Sequence, residues 1–290
     1  MNKLFTLVKR NIKLYFCDRG QVFFSLLGAL IAIVLVLTFL KSSIVDEMVA
    51  SFNGLADKTQ ATHVLDTWLV ASACVIASAT TALGALRQFV ADRQSARWRD
   101  LLVTPLPRWM ITLGYLLSAL VVSALMTTVV YLLGTGYCVA TGAPLSVTGV
   151  LTGWGWLLLS CLGFTSLMGL IVSALRTDGA FNGVSVIIGV MFGFLAETYV
   201  TASSLPSGAT HTLASLPFAQ ASALVRAPYT ASSIAALPEQ LRAGTASSMG
   251  ITLSIGSTTL SAGLFAAVLV VMAVVCTLAA SQVMARTVRR

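Results

Sequence analysis

Long windows without any charged residue are the feature that most constrains this chain. The 18 Lys and Arg and the 10 Asp and Glu residues stand in clusters. The windows between the clusters are long enough to cross a bilayer, which takes about 20 apolar residues per helix. With 57% hydrophobic and only 10% charged residues, the composition excludes a soluble globular domain, in which about a quarter of the residues are charged. The sequence therefore predicts an all-α polytopic membrane protein.

Six windows are predicted to be transmembrane helices. They cover about residues 21–40, 67–86, 110–137, 150–175, 179–198 and 258–282. Trp68 stands at the start of the second window, which suits the aromatic belt at the membrane interface. We interpret the six spans and their connections as a single transmembrane domain over residues 1–290.

The basic residues predict the orientation of these spans. If the N-terminus is cytoplasmic, 14 of the 18 Lys and Arg residues lie in cytoplasmic segments. Only Lys41, Lys58, Arg226 and Arg242 then lie outside. By the positive-inside rule both termini are cytoplasmic, and we expect a multi-pass protein of a cell membrane, the bacterial plasma membrane in particular. The same rule accounts for the net charge of +8 without a nucleic-acid partner.

The first 18 residues are predicted to form an amphipathic helix in the membrane interface. At 100° per residue, one arc is polar and mostly basic, and the opposite arc is apolar with Asn11 as its one misfit. This pattern is typical of a helix lying flat at the bilayer surface; a positive leader that only fixes orientation is an equally good interpretation. The polar arc consists of Lys3, Thr6, Lys9, Arg10 and Lys13.

A compact charged connector separates the second and third spans. Residues 87–109 read RQFVADRQSARWRDLLVTPLPRW and hold five arginines, two acids and two prolines. We predict a cytoplasmic loop here, because Pro105 and Pro107 end a helix sharply and the charged side chains offer charge-assisted contacts to a partner. Composition alone would favour a simpler role, in which the loop orients the chain beside lipid head groups.

The segment between the fifth and sixth spans is predicted to dip into the membrane. Residues 203–256 are divided by four prolines and are too apolar for a solvated loop, yet too interrupted to cross. We therefore predict a re-entrant-like hairpin of short helices, which is tolerated at membrane depth only where protein or a wet cavity covers it. An ordinary outer loop is the alternative.

Motifs that would indicate chemistry in this chain are missing from the sequence. There is no GxxxxGK[ST] phosphate loop and no HExxH or GxSxG motif, and no Cys or His spacing suggests a metal site. We predict no catalytic residue, no metal ligand and no cofactor bound by this chain. Glu197 is the one acid inside the predicted spans, near the end of the fifth; it is either a solvated terminal acid or a residue that contacts transported molecules.

Three segments of the sequence carry a resemblance to a known family: RNIKLYFCDRGQVFFSLLGALI, then DLLVTPLPR at 100–108 with Trp109 and GYLL, and Leu205-Pro206 with Leu216-Pro217-Phe218 ending at Arg226. With them, the chain resembles the permease subunits of type-2 ATP-binding-cassette exporters, particularly the drug-resistance-like branch. The resemblance runs over essentially the whole chain, and the LLVTP block is its most specific part. Two stretches depart from the family pattern: RQSA at 93–96 stands where acids and a glycine are common, and Glu197-Thr-Tyr199 replaces an aromatic-proline pair.

The resemblance implies one half of a transmembrane dimer that rests on a separate cytoplasmic ATPase, which binds ATP and Mg. The second half is another copy or a homologue. Closure of the ATPases would push on the connector and the interface helix and move spans one, two and five. Implied ATPase-coupling residues are Arg97, Trp98, Asp100, Leu101, Leu102, Thr104, Pro105, Lys9 and Lys13. Candidates for the substrate path or gate are Glu197, Tyr199, Phe194 and Phe24.

Two classes of function remain open from the sequence. The first is export of an amphipathic or lipid-like substrate, such as a drug, a lipid or a hydrophobic peptide, driven by the partner ATPase. The second is an ATP-independent protein: a secondary carrier, a channel or an immunity-type factor. Secondary carriers often have inverted repeats with broken spans, and the first four spans here have no such arrangement.

Overall fold

A computed structural model of the chain describes residues 2–35, 39, 41–95, 107–196, 207–255 and 258–287. The described part consists of eleven helices and one pair of two-residue antiparallel strands, β1 (Ser254–Ile255) and β2 (Thr258–Thr259). In chain order the helices are α1 (Asn2–Cys17), α2 (Arg19–Leu35), α3 (Lys41–Ser51), α4 (Lys58–Gln94), α5 (Arg108–Ala140), α6 (Val147–Ala174), α7 (Asp178–Leu195), α8 (Ser207–Ala214), α9 (Pro217–Ala235), α10 (Glu239–Ser248) and α11 (Ala262–Thr287).

The prediction of an all-α polytopic membrane protein is confirmed. Among the described residues, five helices are long and apolar enough to cross a membrane: α4, α5, α6, α7 and α11. The predicted first span corresponds to α2, whose described part has 17 residues. Polar N-cap residues fix where α6 and α7 begin. The side chain of Ser146 accepts a hydrogen bond from the backbone amide of Gly149, and the side chain of Thr177 accepts one from the backbone amide of Ala180.

Helix α4 is the central element of the bundle. Its 37 residues span about 55 Å at 1.5 Å per residue, well beyond the roughly 30 Å hydrocarbon core. Most of its surface from Val64 to Val90 is buried between neighbouring spans. A helix this enclosed cannot follow an amphipathic pattern, because it has no lipid-facing side.

The two ends of the bundle are named for the short helices that lie there. The α1 end is where α1 lies, α4 ends and α7 begins; the α3 end is where α3 lies and α4 begins. At the α3 end a second apolar core joins α3 and the first turns of α4 to α10. Trp68 belongs to this core: it is 1% exposed, and its indole donates to the carbonyl of Met249 at 2.7 Å. Its interpretation as a membrane-interface residue is therefore wrong.

The predicted loop 87–109 begins later in the structure than the charge pattern indicates. Helix α4 continues through residues 87–94, and Arg108 and Trp109 already belong to α5. Two of the charges at the end of α4, Asp92 and Arg93, do not break the helix because neighbouring helices bind them. Residues 96–106, about half of the predicted loop, lie outside the described residues.

Helix α9 begins deep in the bundle and ends at its α3 end. The ring of Phe218, in its first turn, packs against Phe164 at 5.9 Å and Phe192 at 4.8 Å between centroids. Phe164 lies 17 residues from the first residue of α6, about 25 Å along that helix. From this depth α9 rises along α4 and α6 back to the α3 end, where Ser233 donates to the carbonyl of Pro144.

Helix α1 packs against the protein as well as carrying a basic face. Leu7 and Tyr15 of its apolar arc are buried. A Cβ added to Gly114 of α5 would lie 2.5 Å from the side chain of Leu7, so this glycine permits the close approach of the two helices. Phe5, in contrast, remains 71% exposed. One part of the apolar arc thus packs against α5 and the bundle, and another part is exposed.

Candidate functional site

A cavity of about 480 Å³ lies between α2, α4 and α7. We call it the three-helix cavity. Its volume falls in the range of small-molecule sites, about 300–1,000 Å³. The residues that line it are Gln21, Phe24 and Ser25 from α2, Thr80, Leu83, Gly84 and Arg87 from α4, and Phe181, Asn182, Ser185, Val186, Gly189 and Val190 from α7.

Small residues create the space between the three helices. A Cβ added to Gly84 would lie 2.6 Å from the Cβ of Ser25, so α2 and α4 approach closely at that level. At Gly189 of α7 an added Cβ would meet nothing within 4 Å. Helix α7 is therefore separated from α2 and α4 at the level of Gly189, and the space between the three helices is the cavity.

The walls of the three-helix cavity combine apolar surface with a few polar groups. Most hydroxyl and amide groups in the wall are used within the protein: the amide of Gln21 donates to the carbonyl of Gly84 at 2.5 Å, and Thr80 donates to that of Ile76 at 3.1 Å. Among the described lining residues, Arg87 is the one charged side chain. The site accordingly suits a ligand that is largely apolar with one polar end.

A buried carboxylate lies on the same helix, just beyond the cavity. Asp92 of α4 is 0% exposed. Arg10 of α1 donates to its two oxygens at 2.8 and 3.1 Å, Tyr115 of α5 at 2.6 Å, and Gln88 at 2.8 Å. We call these four residues, with Asn11, the Asp92 cluster. It joins α1, α4 and α5 at the α1 end of the bundle.

The arginine of this cluster is held in its charged form. Its hydrogen bond to Asp92 is the main reason that the pKa of Arg10 lies above its ordinary value. Asn11 accepts a hydrogen bond from Arg10 at 3.1 Å and donates to Ser118 of α5 at 3.3 Å. The polar misfit on the apolar arc of α1 is therefore a buried contact to the bundle.

The last turn of α4 also contacts the connection between α6 and α7. Arg93 donates to the carbonyls of Ser173 and Leu175, both at 3.1 Å. These carbonyls belong to the C-terminal end of α6, where a cation is favoured by the helix dipole. The end of α4 thus contacts α1, α5 and the α6–α7 connection within two helical turns.

Arg226 forms a second buried polar cluster toward the α3 end. Its side chain is 0% exposed and lies 4.7 Å from the ring centroid of Trp68. It donates to Ser72 of α4 at 2.8 Å and to the carbonyl of Ala196, at the end of α7, at 2.7 Å. This Arg226 cluster joins α9 to α4 and to the end of α7.

A partly buried ion pair holds α3 at the same end. Lys41 donates to Asp66 at 2.6 Å and to the hydroxyl of Tyr137 at 3.2 Å. Burial opposes the charge on Lys41, but the hydrogen bonds to Asp66 and Tyr137 outweigh it, and the pKa of this amine lies above its ordinary value. Helix α3 is thereby fixed to α4 and α5.

The structure describes four of the residues predicted for coupling or for the substrate path. Lys9 and Lys13 lie on the exposed face of α1. Phe24 lines the three-helix cavity, and Phe194 is 51% exposed one turn beyond its last lining residue on α7. The remaining predicted residues lie outside the described residues: Arg97, Trp98, Asp100, Leu101, Leu102, Thr104, Pro105, Glu197 and Tyr199.

The residues that the sequence analysis missed are those of the Asp92 cluster and the polar wall of the cavity. Asn11 was a usable signal, because a polar residue on an apolar arc has to be bonded when it is buried. In the described part of the chain, no three His, Cys, Asp or Glu side chains are grouped so that they could hold a metal ion.

Comparison with known protein families shows what the chain is similar to. The sequence model of the family described as ABC-2 type transporter matches residues 2–226. This range contains the Asp92 cluster, every residue that lines the three-helix cavity, and Arg226. No curated protein matches the chain.

Proposed function

Because the chain belongs to the ABC-2 type transporter family, we propose that it is the permease half of an ATP-driven exporter for an amphipathic substrate. The family domain is a transmembrane permease component and not a nucleotide-binding domain, and in general it pairs with an ATPase subunit. On this proposal the partner binds ATP and Mg, and this chain supplies the membrane path. A second permease, identical or homologous, completes the path.

The observation that supports this proposal most directly is the double role of α4. Residues 80–87 of this helix line the three-helix cavity. Asp92, one turn and a half beyond Arg87, binds α1 through Arg10. The chain then enters residues 96–106, which carry the LLVTP block. A force applied to α1 or to this segment therefore reaches the cavity wall through a single continuous helix.

On this proposal, ATPase closure pushes the α1 end of the bundle. The exposed Lys9 and Lys13 of α1 and the Asp100–Pro105 segment contact the ATPase. Because the Asp92 cluster binds α1 to α4 and α5, these elements move together. Helix α7 makes a looser contact with the cavity wall around Gly189, so the movement changes the gap in which the substrate lies.

The cavity part of the proposal is tested by filling the space at Gly189. Gly189→Leu puts a side chain into the cavity and is expected to reduce ATP-driven transport by about tenfold or more, since even a small steric misplacement in a site costs that much. Gly183→Leu is the matched control, because Gly183 is on the same helix, also has open space beside it and does not line the cavity. Equal transport by both variants would place the substrate path elsewhere.

The coupling part is tested at Asp100 and Leu101 with the permease and its ATPase copurified. Asp100→Ala and Leu101→Ala are expected to lower ATP-driven transport while the chain still inserts and binds substrate. Arg10→Gln is expected to do the same by releasing α1 from Asp92, whereas Lys3→Gln, on the exposed face of α1, serves as its control. Unchanged transport in all three variants would contradict a coupling role for this end of the bundle.

A further inference from the structure

The guanidinium of Arg87 differs from its neighbours in having no partner in the described protein. Arg10 is bonded to Asp92, and Arg93 to the carbonyls of Ser173 and Leu175. Arg87 is half-buried in the wall of the three-helix cavity, and within the described ranges its side chain forms no hydrogen bond or ion pair. Its five N–H donors are therefore available to a ligand.

The position of Arg87 gives the cavity a polar end and an apolar end. Along α4, Arg87 is the lining residue nearest the α1 end, and Thr80 lies about 10 Å farther into the bundle. On α7, Asn182 lies near the same end as Arg87, and its side-chain amide also has no hydrogen-bond partner among the described residues. Leu83, Val186 and Val190 form apolar wall farther in.

A half-buried cation is costly to leave unpaired, because protein surroundings screen it less than water does. Hydrogen bonds between Arg87 and an anion in the cavity offset this free-energy cost. Arginine is suited to the task, since its planar fork bonds two oxygens of a carboxylate, sulfate or phosphate at once. No described lining residue is acidic, so a cationic ligand would find no counter-charge there and would meet Arg87.

We propose that the three-helix cavity binds an amphiphile with an anionic head group, which contacts Arg87 and Asn182, while its apolar chain lies between Leu83 and Val190. This assignment rests on the proposed function, because it takes the cavity to be the substrate site. It narrows the substrate from amphiphiles in general to anionic ones. The anion belongs either to a single-chain amphiphile or to an anionic phospholipid.

The test is equilibrium binding to the full chain in phosphatidylcholine nanodiscs, without ATPase or ATP. Three probes share one chain and differ in the head group: oleyl sulfate, oleyl alcohol and oleylamine. We expect oleyl sulfate to bind at least about tenfold more tightly than oleyl alcohol, and oleylamine most weakly, as a charge-assisted hydrogen bond predicts. Because no ATP is used, failure of this assay leaves the transport test of Gly189→Leu to decide the proposed function separately.

Variants of Arg87 test whether this side chain is the one that binds the anionic head group. Arg87→Gln is expected to bring oleyl sulfate to the affinity of oleyl alcohol, and Arg87→Lys to retain part of the preference. Arg176→Gln removes the same charge from an exposed position at the α1 end and is expected to leave the preference intact. A preference that survives Arg87→Gln, or no preference in the wild-type chain, would overturn the proposal.

A second arm identifies the source of the anion. The nanodisc lipid is changed from phosphatidylcholine to phosphatidylglycerol, and oleyl sulfate binding is measured again. If phosphatidylglycerol weakens oleyl sulfate binding to the wild-type chain but not to Arg87→Gln, the cavity binds an anionic phospholipid. Unchanged binding assigns it to a single-chain amphiphile. If phosphatidylglycerol weakens oleyl sulfate binding equally in the wild-type chain and in Arg87→Gln, the anion binds another surface. That result would contradict the role of Arg87.

Discussion

Asp92 and Arg226 are fully buried charges on opposite sides of the three-helix cavity. Asp92 is bonded to α1 and α5 at the α1 end, and Arg226 to α4 and the end of α7 toward the α3 end. Burying a charge is costly unless hydrogen bonds replace its water, and both residues meet that condition with several bonds. They fix which helices move together at each end of the bundle.

Removal of Arg226 is expected to loosen the α3 side of the bundle. Arg226→Ala removes the hydrogen bonds that Arg226 donates to Ser72 and to the carbonyl of Ala196, at a cost of about 2–4 kcal/mol. The midpoint of thermal unfolding in detergent should then fall by roughly 5–10 °C. Arg226→Lys, which keeps the charge and loses the fork, should give an intermediate value.

Arg242→Ala is the control for this experiment. Arg242 also donates to backbone carbonyls, those of Leu237 and Ala235 at 2.8 Å each, but its side chain is exposed. Its removal should shift the midpoint by no more than about 2 °C, since exposed contacts contribute little. Equal shifts in the Arg226 and Arg242 variants would contradict a structural role for the buried cluster.

Individual side chains were predictable from the sequence only where they broke a pattern. Asn11 broke the apolar arc of α1, and it proves to be a buried link to Ser118. Trp68 fitted the expectation of an interfacial residue and was misassigned. Its burial depends on α10 and on Arg226, which lie more than 150 residues away in the sequence, and no local pattern carries that information.

Among the elements, α9 is the one whose position depends most on a single glycine. Gly149 lies in the first turn of α6, where a Cβ would overlap the carbonyl oxygen of Pro228 in α9. The two helices therefore touch through their backbones at this level. A proline within α9 also removes one amide donor from that helix, so the helix depends on the contacts made by its neighbours.

Gly149→Leu is expected to push α9 away from α6. We expect a lower unfolding midpoint and faster proteolysis of the segment between α7 and α11, because overpacking against backbone cannot be relieved by a rotamer change. Gly155→Leu is the matched control: it lies on the same helix, and a Cβ there meets nothing within 4 Å. If both variants behave like the wild-type chain, the re-entrant packing is not as described.

The existence of the elements was readable from the sequence, but their ends were not. Charge-free windows located the spans, because the bilayer imposes length and polarity together. The same charge signal placed the end of α4 too early, since residues 87–109, with Asp92 and Arg93 among them, were predicted to be a cytoplasmic loop. Asp92 is bonded to α1 and Arg93 to the end of α6. When the last turns of a helix are charged, tertiary partners such as these determine at which residue the helix ends.

For the whole molecule, the positive-inside rule predicts that the α1 end is cytoplasmic. This orientation is tested by single cysteines in a chain carrying Cys17→Ser, since the other four cysteines are buried. In intact cells a membrane-impermeant maleimide should label Glu239→Cys, at the exposed α3 end, and should label Arg176→Cys only after the cells are opened. The reverse pattern would contradict the positive-inside assignment.

The three-helix cavity is a property of the whole molecule that the sequence did not reveal. Phe24 was predicted as a path residue on resemblance, and it lines the cavity. Arg87 was assigned to a loop, because the sequence shows a charge but not the gap beside it. The cavity arises from how far α7 stands from α2 and α4, and interhelical distances of this kind depend on all the contacts in the bundle.

The central claim is that this chain moves an amphiphile with energy from a separate ATPase. The most direct measurement is flux of a labelled amphiphile in proteoliposomes that contain the chain with or without its ATPase, with ATP, with a non-hydrolysable analogue, or with an imposed ion gradient and no ATP. The account predicts flux only when the chain, the ATPase and hydrolysable ATP are all present. Flux driven by an ion gradient through the chain alone would contradict it and identify a secondary carrier or a channel.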